Sequence, residues 1–422
     1  MSWHKITVVA ALAMAVVAAG LYGVLAGPSA EQPAKEEPKG SKWVPAVEPK
    51  PLSENVQKGL AFLAKMQHKN GGWSQGEESQ QMGQSLAALR DVPNVADTCV
   101  AALALIRSGS TPSKGPHADS IRKGLDFICA QIEESDEKSL FITSIRGTRV
   151  QMKLGSYVDT FLSAMLLAEV KDQMPDAESR KRIMAALDKT MDKIEKNQRS
   201  DGTWASDGWA PTISQAMAAK AINRAAQSGV EVDEGVREKT EQYAQRQHDT
   251  AGGKFSAEGS AGVQLYSGSA SLGAIQDSAN TNYVRKLEVQ NKQANAKTEP
   301  ERQAAKDTLE RYKRNEEALA EAQKTIVKKL DDERFIQGFG SNGGEEFLSY
   351  MNIGESLVVK GGDDWKKWDD KITANLNRVQ NADGSWTGHH CITGRTFCTA
   401  AALLVLTTDR APVPLAAKIK KQ

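Results

Sequence analysis

Residues 380–387 read Q-N-A-D-G-S-W-T and stand between two stretches patterned as helices. Before them, residues 365–379 carry Trp368, Ile372, Leu376 and Val379 at helical spacing. After them, residues 396–406 are almost wholly apolar, the mark of a buried helix. Such a junction has a physical logic. Gln380 can bond the free carbonyls of the first helix, Gly384 can take the left-handed conformation that stops it, and Trp386 can fold back over its end. The spacing Gln-x-x-x-Gly-x-Trp recurs at Gln67-Gly71-Trp73 and Gln198-Gly202-Trp204. A looser copy, two residues longer and with Phe for Trp, stands at Gln247-Gly253-Phe255. A motif that returns after several amphipathic helices is the signature of a repeat.

From residue 53 the chain alternates two kinds of helix. Amphipathic stretches (53–67, 118–132, 176–198, 233–247, a charged helix before Phe335, and 365–379) each precede an apolar one (97–106, 157–170, 212–226, 262–275, 347–359 and 396–406). Six outer helices covering six inner ones predict an all-α fold, a closed α/α toroid whose inner-helix ends converge on one cavity; an open α-solenoid is the structural rival. The segments assigned to the toroid are 53–281 and 334–410.

Composition narrows the function. With 54 basic and 53 acidic residues the net charge is +1, and nothing suggests a nucleic-acid binder. Four cysteines are too few for a disulfide scaffold. Residues 6–27 are uncharged and apolar and follow Lys5, so residues 1–27 are expected to be a membrane anchor or a signal peptide, with the body exported to the cell envelope. Residues 28–52, rich in proline, would form a flexible linker, and residues 411–422 a basic tail. Residues 282–333 are charged and poor in apolar positions. Thr298, Pro300 and Glu301 mark a helix start inside them, so an inserted helical hairpin is expected, either a solvated arm or a docking arm for a partner.

The repeated junctions, the alternation, and the ending G-R-T-F-C-T-A-A-A-L-L-V-L resemble the prenyltransferase/squalene-oxidase repeat superfamily, which contains squalene cyclases and the β subunits of protein prenyltransferases. The resemblance implies inner-helix starts as the place for chemistry. The cyclase acid stretch Asp-x-Asp-Asp-Thr-Ala corresponds to Asn94-Val95-Ala96-Asp97-Thr98-Cys99, with Ala96 at the proton donor's position. Asp97 is thus the one catalytic candidate, and a helix N-cap is its plainer role. The sterol-cyclase stretch corresponds to Phe397-Cys398-Thr399-Ala400-Ala401, with Phe397 at the acid's position. The prenyltransferase zinc pattern implies Asp97 and Cys99 with His389 and His390 as metal ligands; Cys391 and Cys398 could instead pair as a disulfide. Tyr157, Asp159, Tyr266, Tyr350 and Glu355 are the candidate ligand-binding residues.

Two functions are expected from this reading. One is a membrane-tethered, non-catalytic toroid that binds an apolar ligand or a partner protein. The other is an atypical prenyltransferase- or terpenoid cyclase-like enzyme acting on an isoprenoid, with zinc as its candidate cofactor.

Overall fold

The computed structural model describes residues 47–80, 82, 87–340 and 342–412. Its helices are α1 Glu54–Met66, α2 Val95–Arg107, α3 Ala118–Glu134, α4 Arg149–Leu154, α5 Val158–Val170, α6 Ala177–Lys196 and α7 Pro211–Gln227. They continue with α8 Glu234–Arg246, α9 Gln264–Ala294, α10 Glu299–Val327, α11 Glu333–Gln337, α12 Gly344–Lys360, α13 Gly362–Arg378 and α14 Arg395–Leu406. In the order α2, α5, α7, α9, α12, α14, each inner helix packs on the next, and α14 returns to α2. The outer helices α1, α3, α6, α8, α10 and α13 lie against this closed ring. The inner helices are buried on every side, as α5 is from Val158 to Val170. The outer ones bury one stripe, as α13 does with Trp365, Trp368, Ile372 and Leu376. This is the expected α/α toroid.

The junction motif works by a different division of tasks from the one expected. Each tryptophan does fold back: the indoles of Trp73, Trp204 and Trp386 donate to the carbonyls of Leu63, Ile194 and Leu376, all at 2.8 Å. Each glutamine reaches forward instead of capping its own helix. Gln67 bonds Gly71 O and Ser120 O at 2.8 and 2.9 Å; Gln380 bonds Gly384 O and Asn55 O, both at 2.8 Å. The outer helices are thereby stitched together, and Gln380 joins the last to the first. Gly71, Gly202 and Gly384 have φ near +87°, and a Cβ on each would meet the backbone carbonyl of Lys123, Lys239 or Lys58 at 2.2–2.6 Å. Only glycine fits there. The looser copy is a small hairpin, His248–Asp249 against Lys254–Phe255, with Phe255 stacked on His248. Replacing Gln380 with Leu strands two carbonyls and is expected to cost about 2 kcal/mol in urea unfolding, whereas Gln57→Leu, whose single bond is exposed, should change stability by less than about 0.5 kcal/mol. Equal effects would refute the stitching role.

At the C-terminal ends of the inner helices the ring axis is filled by charge. Arg107 of α2 forks onto Glu169 of α5 at 2.9 and 3.1 Å and reaches Glu355 of α12 at 3.3 Å. Lys220 of α7 lies 2.6 Å from Glu355 and 2.8 Å from Asp277 of α9, and Arg224 lies 3.4 Å from Glu355. None of the six is more than 6% exposed. Three cations and three carboxylates balance, as buried ions must.

The insertion grows out of the ring instead of being set upon it. α9 runs 31 residues, far past its buried portion, which ends at Asn282. α10 returns along it from a capping box at Thr298 and Glu301. The later half of α10 buries Asn315, Leu319, Ala322, Gln323 and Ile326 and serves as an outer helix of the ring, so the expected boundary at 333 falls beyond the point where the arm rejoins the toroid. The expected anchor at residues 6–27 and most of the linker and basic tail lie outside the described residues. Among the described residues no helix is long and apolar enough to cross a membrane. The last linker residues are pinned: Lys50 N donates to Asp409 at 2.8 Å, and Arg410 donates to Lys50 O at 2.6 Å.

Candidate functional site

The N-terminal ends of the inner helices meet at the opposite mouth of the ring, where α12 presents two consecutive carboxyls. Its first turn is Gly344-Glu345-Glu346, and both glutamates are fully buried. The loop before it passes close to them at two glycines, Gly338 and Gly343. A Cβ on Gly338 would sit 2.7 Å from Glu346 Oε1. One on Gly343 would sit 2.8 Å from Glu346 Oε2 and 3.3 Å from Glu345 Oε2, so these two oxygens share one glycine-lined cradle.

The two carboxyls have unequal partners. Glu346 Oε1 accepts the Tyr266 hydroxyl and the Phe339 N–H, the latter at 3.0 Å. Its Oε2 faces His390 Nε2 at 3.5 Å. Glu345 accepts one bond, from Ile392 N–H at 3.2 Å, and its Oε1 has no partner among the described residues. Burial, with the neighbouring Glu346 charge adding to it, pushes the Glu345 carboxyl up to about 8. Burial also raises Glu346, against the hydrogen bond from Tyr266 that lowers it. His390 is pulled down to about 4 by burial and by the nearby His389 and Lys153, so its ring is neutral at pH 7.

An aromatic shelf covers the pair. Trp209 meets Tyr266 edge-on with centroids 6.1 Å apart and Phe339 at 5.1 Å, and Phe339 meets His390 at 5.0 Å. Lys153 of α4 lies 5.3 Å above the Trp209 ring. Phe339 is 57% exposed, which is unusual for so large an apolar ring and leaves an open face for a ligand. Cys391, beside His390, has φ +57° without being glycine, a strained backbone of the kind that collects at functional sites.

The α2 side of the mouth holds the other expected residues. Asn94, not Asp97, is the N-cap of α2: its side chain accepts from Asp97 N at 3.0 Å and donates to Asp97 Oδ2 at 2.6 Å. Burial first, and then the Asp159 and Glu78 charges, push Asp97 up to about 7. Asp159 does not cap its own helix either; it accepts Ala96 N at 2.9 Å and Gln151 Nε2 at 2.7 Å, tying α2 to α4. Both amide atoms of Gln75, Thr396 Oγ1 and Asp97 Oδ1 are buried without partners among the described residues.

Of the five residues expected to bind a ligand, Tyr266 joins the carboxyl pair. Tyr157, just before α5, meets the Phe141 ring at a tilt with centroids 4.6 Å apart. Tyr350 turns away, donating to Ile336 O at 2.6 Å and packing on Trp368 of the outer layer. Glu355 belongs to the ion cluster at the far end. The expected zinc set does not assemble: Cys99 bonds Ser163 at 3.4 Å, its thiol raised by burial, while His390 faces Glu346. Among the described residues no group of three metal-ligating side chains comes together. Cys391 and Cys398 are free thiols, and Cys398 donates to Ile392 O at 3.2 Å. Glu345, Glu346, Trp209 and Phe339 were not anticipated. The available signal was the acidic pair directly before the apolar run, but the inner helix was expected to begin at Phe347, two residues too late to include both glutamates.

A solved structure similar to the chain is an inactive variant of an α-1,6-mannanase, GH76A of Salegentibacter sp. HEL1_6, in complex with α-1,6-mannotetrose; two consecutive aspartates are replaced by alanine in it. The TM-score is 0.52 at 11% identity, over 87% of this chain and 100% of that one. What the two share is the toroid. No family model matches the chain, and no curated protein matches it. The prenyltransferase/squalene-oxidase assignment is therefore corrected to the coarser one of an α/α toroid. The expected apolar or isoprenoid ligand, the non-catalytic partner-binding role and the prenyltransferase- or cyclase-like activity are corrected with it. The similar toroid holds an oligosaccharide. Here, moreover, the axis is filled with ions and the mouth carries unpartnered polar atoms, neither of which suits a dry apolar ligand.

Proposed function

We propose that the mouth of the ring binds an oligosaccharide and that Glu345 and Glu346 cleave a glycosidic bond in it. The observation that carries this reading is the pair of consecutive buried carboxyls in one cradle, in a toroid similar to a mannanase whose inactive variant lacks two consecutive aspartates. Glycoside hydrolysis needs one carboxyl bearing a proton for the leaving oxygen and one carboxylate to balance the positive charge growing on the sugar ring. Unequal environments for two carboxyls supply that difference. Trp209 and Phe339 offer ring faces on which a sugar can stack, and the unpartnered atoms of Gln75, Asp97 and Thr396 offer hydroxyl partners. Export through residues 6–27 is kept within the proposal, since it would bring the ring to glycans outside the cytoplasm.

Binding tests this directly. In calorimetric titration with α-1,6-linked mannotetraose, wild type is expected to bind, and Trp209→Ala is expected to weaken the affinity about tenfold, the worth of one aromatic contact. Binding unchanged in Trp209→Ala, or seen with no oligosaccharide of a panel varied in sugar and linkage, would remove the mouth from the account.

A further inference from the structure

We propose that Tyr266 is a positioning residue that divides the labour of the pair: its hydroxyl holds Glu346 as the carboxylate and leaves Glu345 as the carboxyl that carries the proton. The consequence for catalysis rests on the glycan-cleaving reading; the proton distribution does not.

The geometry is asymmetric in a way the sequence Glu-Glu is not. Glu346 Oε1 is held from two directions, by the Tyr266 hydroxyl from α9 and by the Phe339 N–H from the glycine loop. Both are donors, and donors favour the charged form. Each glutamate keeps one oxygen without a hydrogen bond among the described residues, Oε2 of Glu346 and Oε1 of Glu345, so the difference lies at the other oxygen: there Glu345 has a single backbone donor in a fully buried setting, which favours the neutral form. The hydroxyl of Tyr266 cannot exchange roles, because burial and the two glutamates push its own ionisation far up and keep it a donor. The other groups facing the pair do not undo the asymmetry. Lys153 from α4 lowers Glu345, yet burial and Glu346 outweigh it. His390 is neutral, exposed His389 lies beyond it, and the thiols of Cys391 and of Cys398 on α14 are raised by burial and by these same carboxylates, so they add no charge. Two like charges in one cradle cannot both be stable, and the proton settles on the less well-held member.

In the reaction, the O–H bond of Glu345 breaks as its proton passes to the glycosidic oxygen and the bond from that oxygen to the sugar carbon opens. Glu346 stays ionised and faces the positive charge. Water then gives hydroxide to the sugar carbon and a proton back to Glu345, so atoms and charge balance over one turnover.

The test reads protons, not products. The protein is labelled with carboxyl-carbon-13 glutamate, Glu345→Gln and Glu346→Gln assign the two signals, and their shifts are followed with pH by NMR. At pH 7 wild type should show Glu345 protonated and Glu346 ionised. Tyr266→Phe, which keeps the ring and removes the hydroxyl, should raise the Glu346 midpoint by roughly one to two pH units and lower that of Glu345. Glu346 found protonated in wild type at pH 7 would overturn the proposal, whether or not Tyr266→Phe folds. So would midpoints that Tyr266→Phe leaves in place. If the NMR result holds while no oligosaccharide is cleaved, the glycan-cleaving reading fails and the assignment of the proton stands.

Discussion

Glu355→Ala is expected to lower unfolding stability by about 3–5 kcal/mol, more than any exposed substitution in the chain. The carboxylate sits 2.6 Å from Lys220, 3.3 Å from Arg107 and 3.4 Å from Arg224, with all four side chains buried. Removing it leaves three cations facing two carboxylates in the ring's axis, all of them buried. The sign with pH follows from the same geometry. Burial alone would raise the Glu355 carboxyl, but Lys220, Arg224 and Arg107 hold it well below the usual carboxylate range. A carboxyl depressed on folding adds stability that is complete above its unfolded value, about 4.3, and is lost as pH falls towards the depressed one. Urea unfolding at pH 7 and at steps down to pH 3 measures both effects: wild type should weaken on acidification more steeply than Glu355→Ala. Lys286→Ala, which breaks an exposed pair with Glu316, should change stability by less than about 1 kcal/mol. A Glu355→Ala protein as stable as wild type would mean the cluster is not what closes the axis.

The architecture was legible because it is written in periodicity. The inner helices carry no charged stripe over three turns, and three tryptophans recur at fixed spacing after the outer ones, so both the ring and its order followed from the pattern. The site was less legible because it depends on which helix ends meet. Asp97-Thr98 looks like a cap, yet the cap is Asn94, and the aspartate is left buried with one oxygen bare. Glu355 looked like a cavity residue because it lies on an inner helix; about two and a half turns separate it from Glu346, which puts it towards the opposite end of the ring. Glu345 and Glu346 resemble any acidic first turn, where glutamates ordinarily face solvent and favour the helix dipole. What buries them is the glycine loop folding over from Gly338, a tertiary fact that no local pattern contains. The superfamily resemblance led to acids and zinc ligands at α2 and α14, while the better-formed carboxyl pair stood at α12.

That pair carries the second large effect. If one carboxyl supplies the proton and the other balances charge, removing both functions should cost at least about a thousandfold in turnover, since positioned proton transfer alone contributes roughly 10²–10⁴. Glu345→Gln/Glu346→Gln keeps the volume of both side chains and should leave oligosaccharide affinity within about threefold of wild type, because Trp209, Phe339 and the α2 side of the mouth are untouched. It should also hold or gain stability at pH 8, because a carboxyl raised on folding weakens the fold as pH climbs from its unfolded value through its folded one, about 8 for Glu345. Loss of turnover would then not be loss of fold. The decisive measurement is mass spectrometry of α-1,6-linked mannooligosaccharides incubated with wild type and with the double variant. The account predicts shortened chains with wild type and at least a thousandfold slower shortening with the variant; chains left intact by wild type, or shortened equally by both, would contradict it.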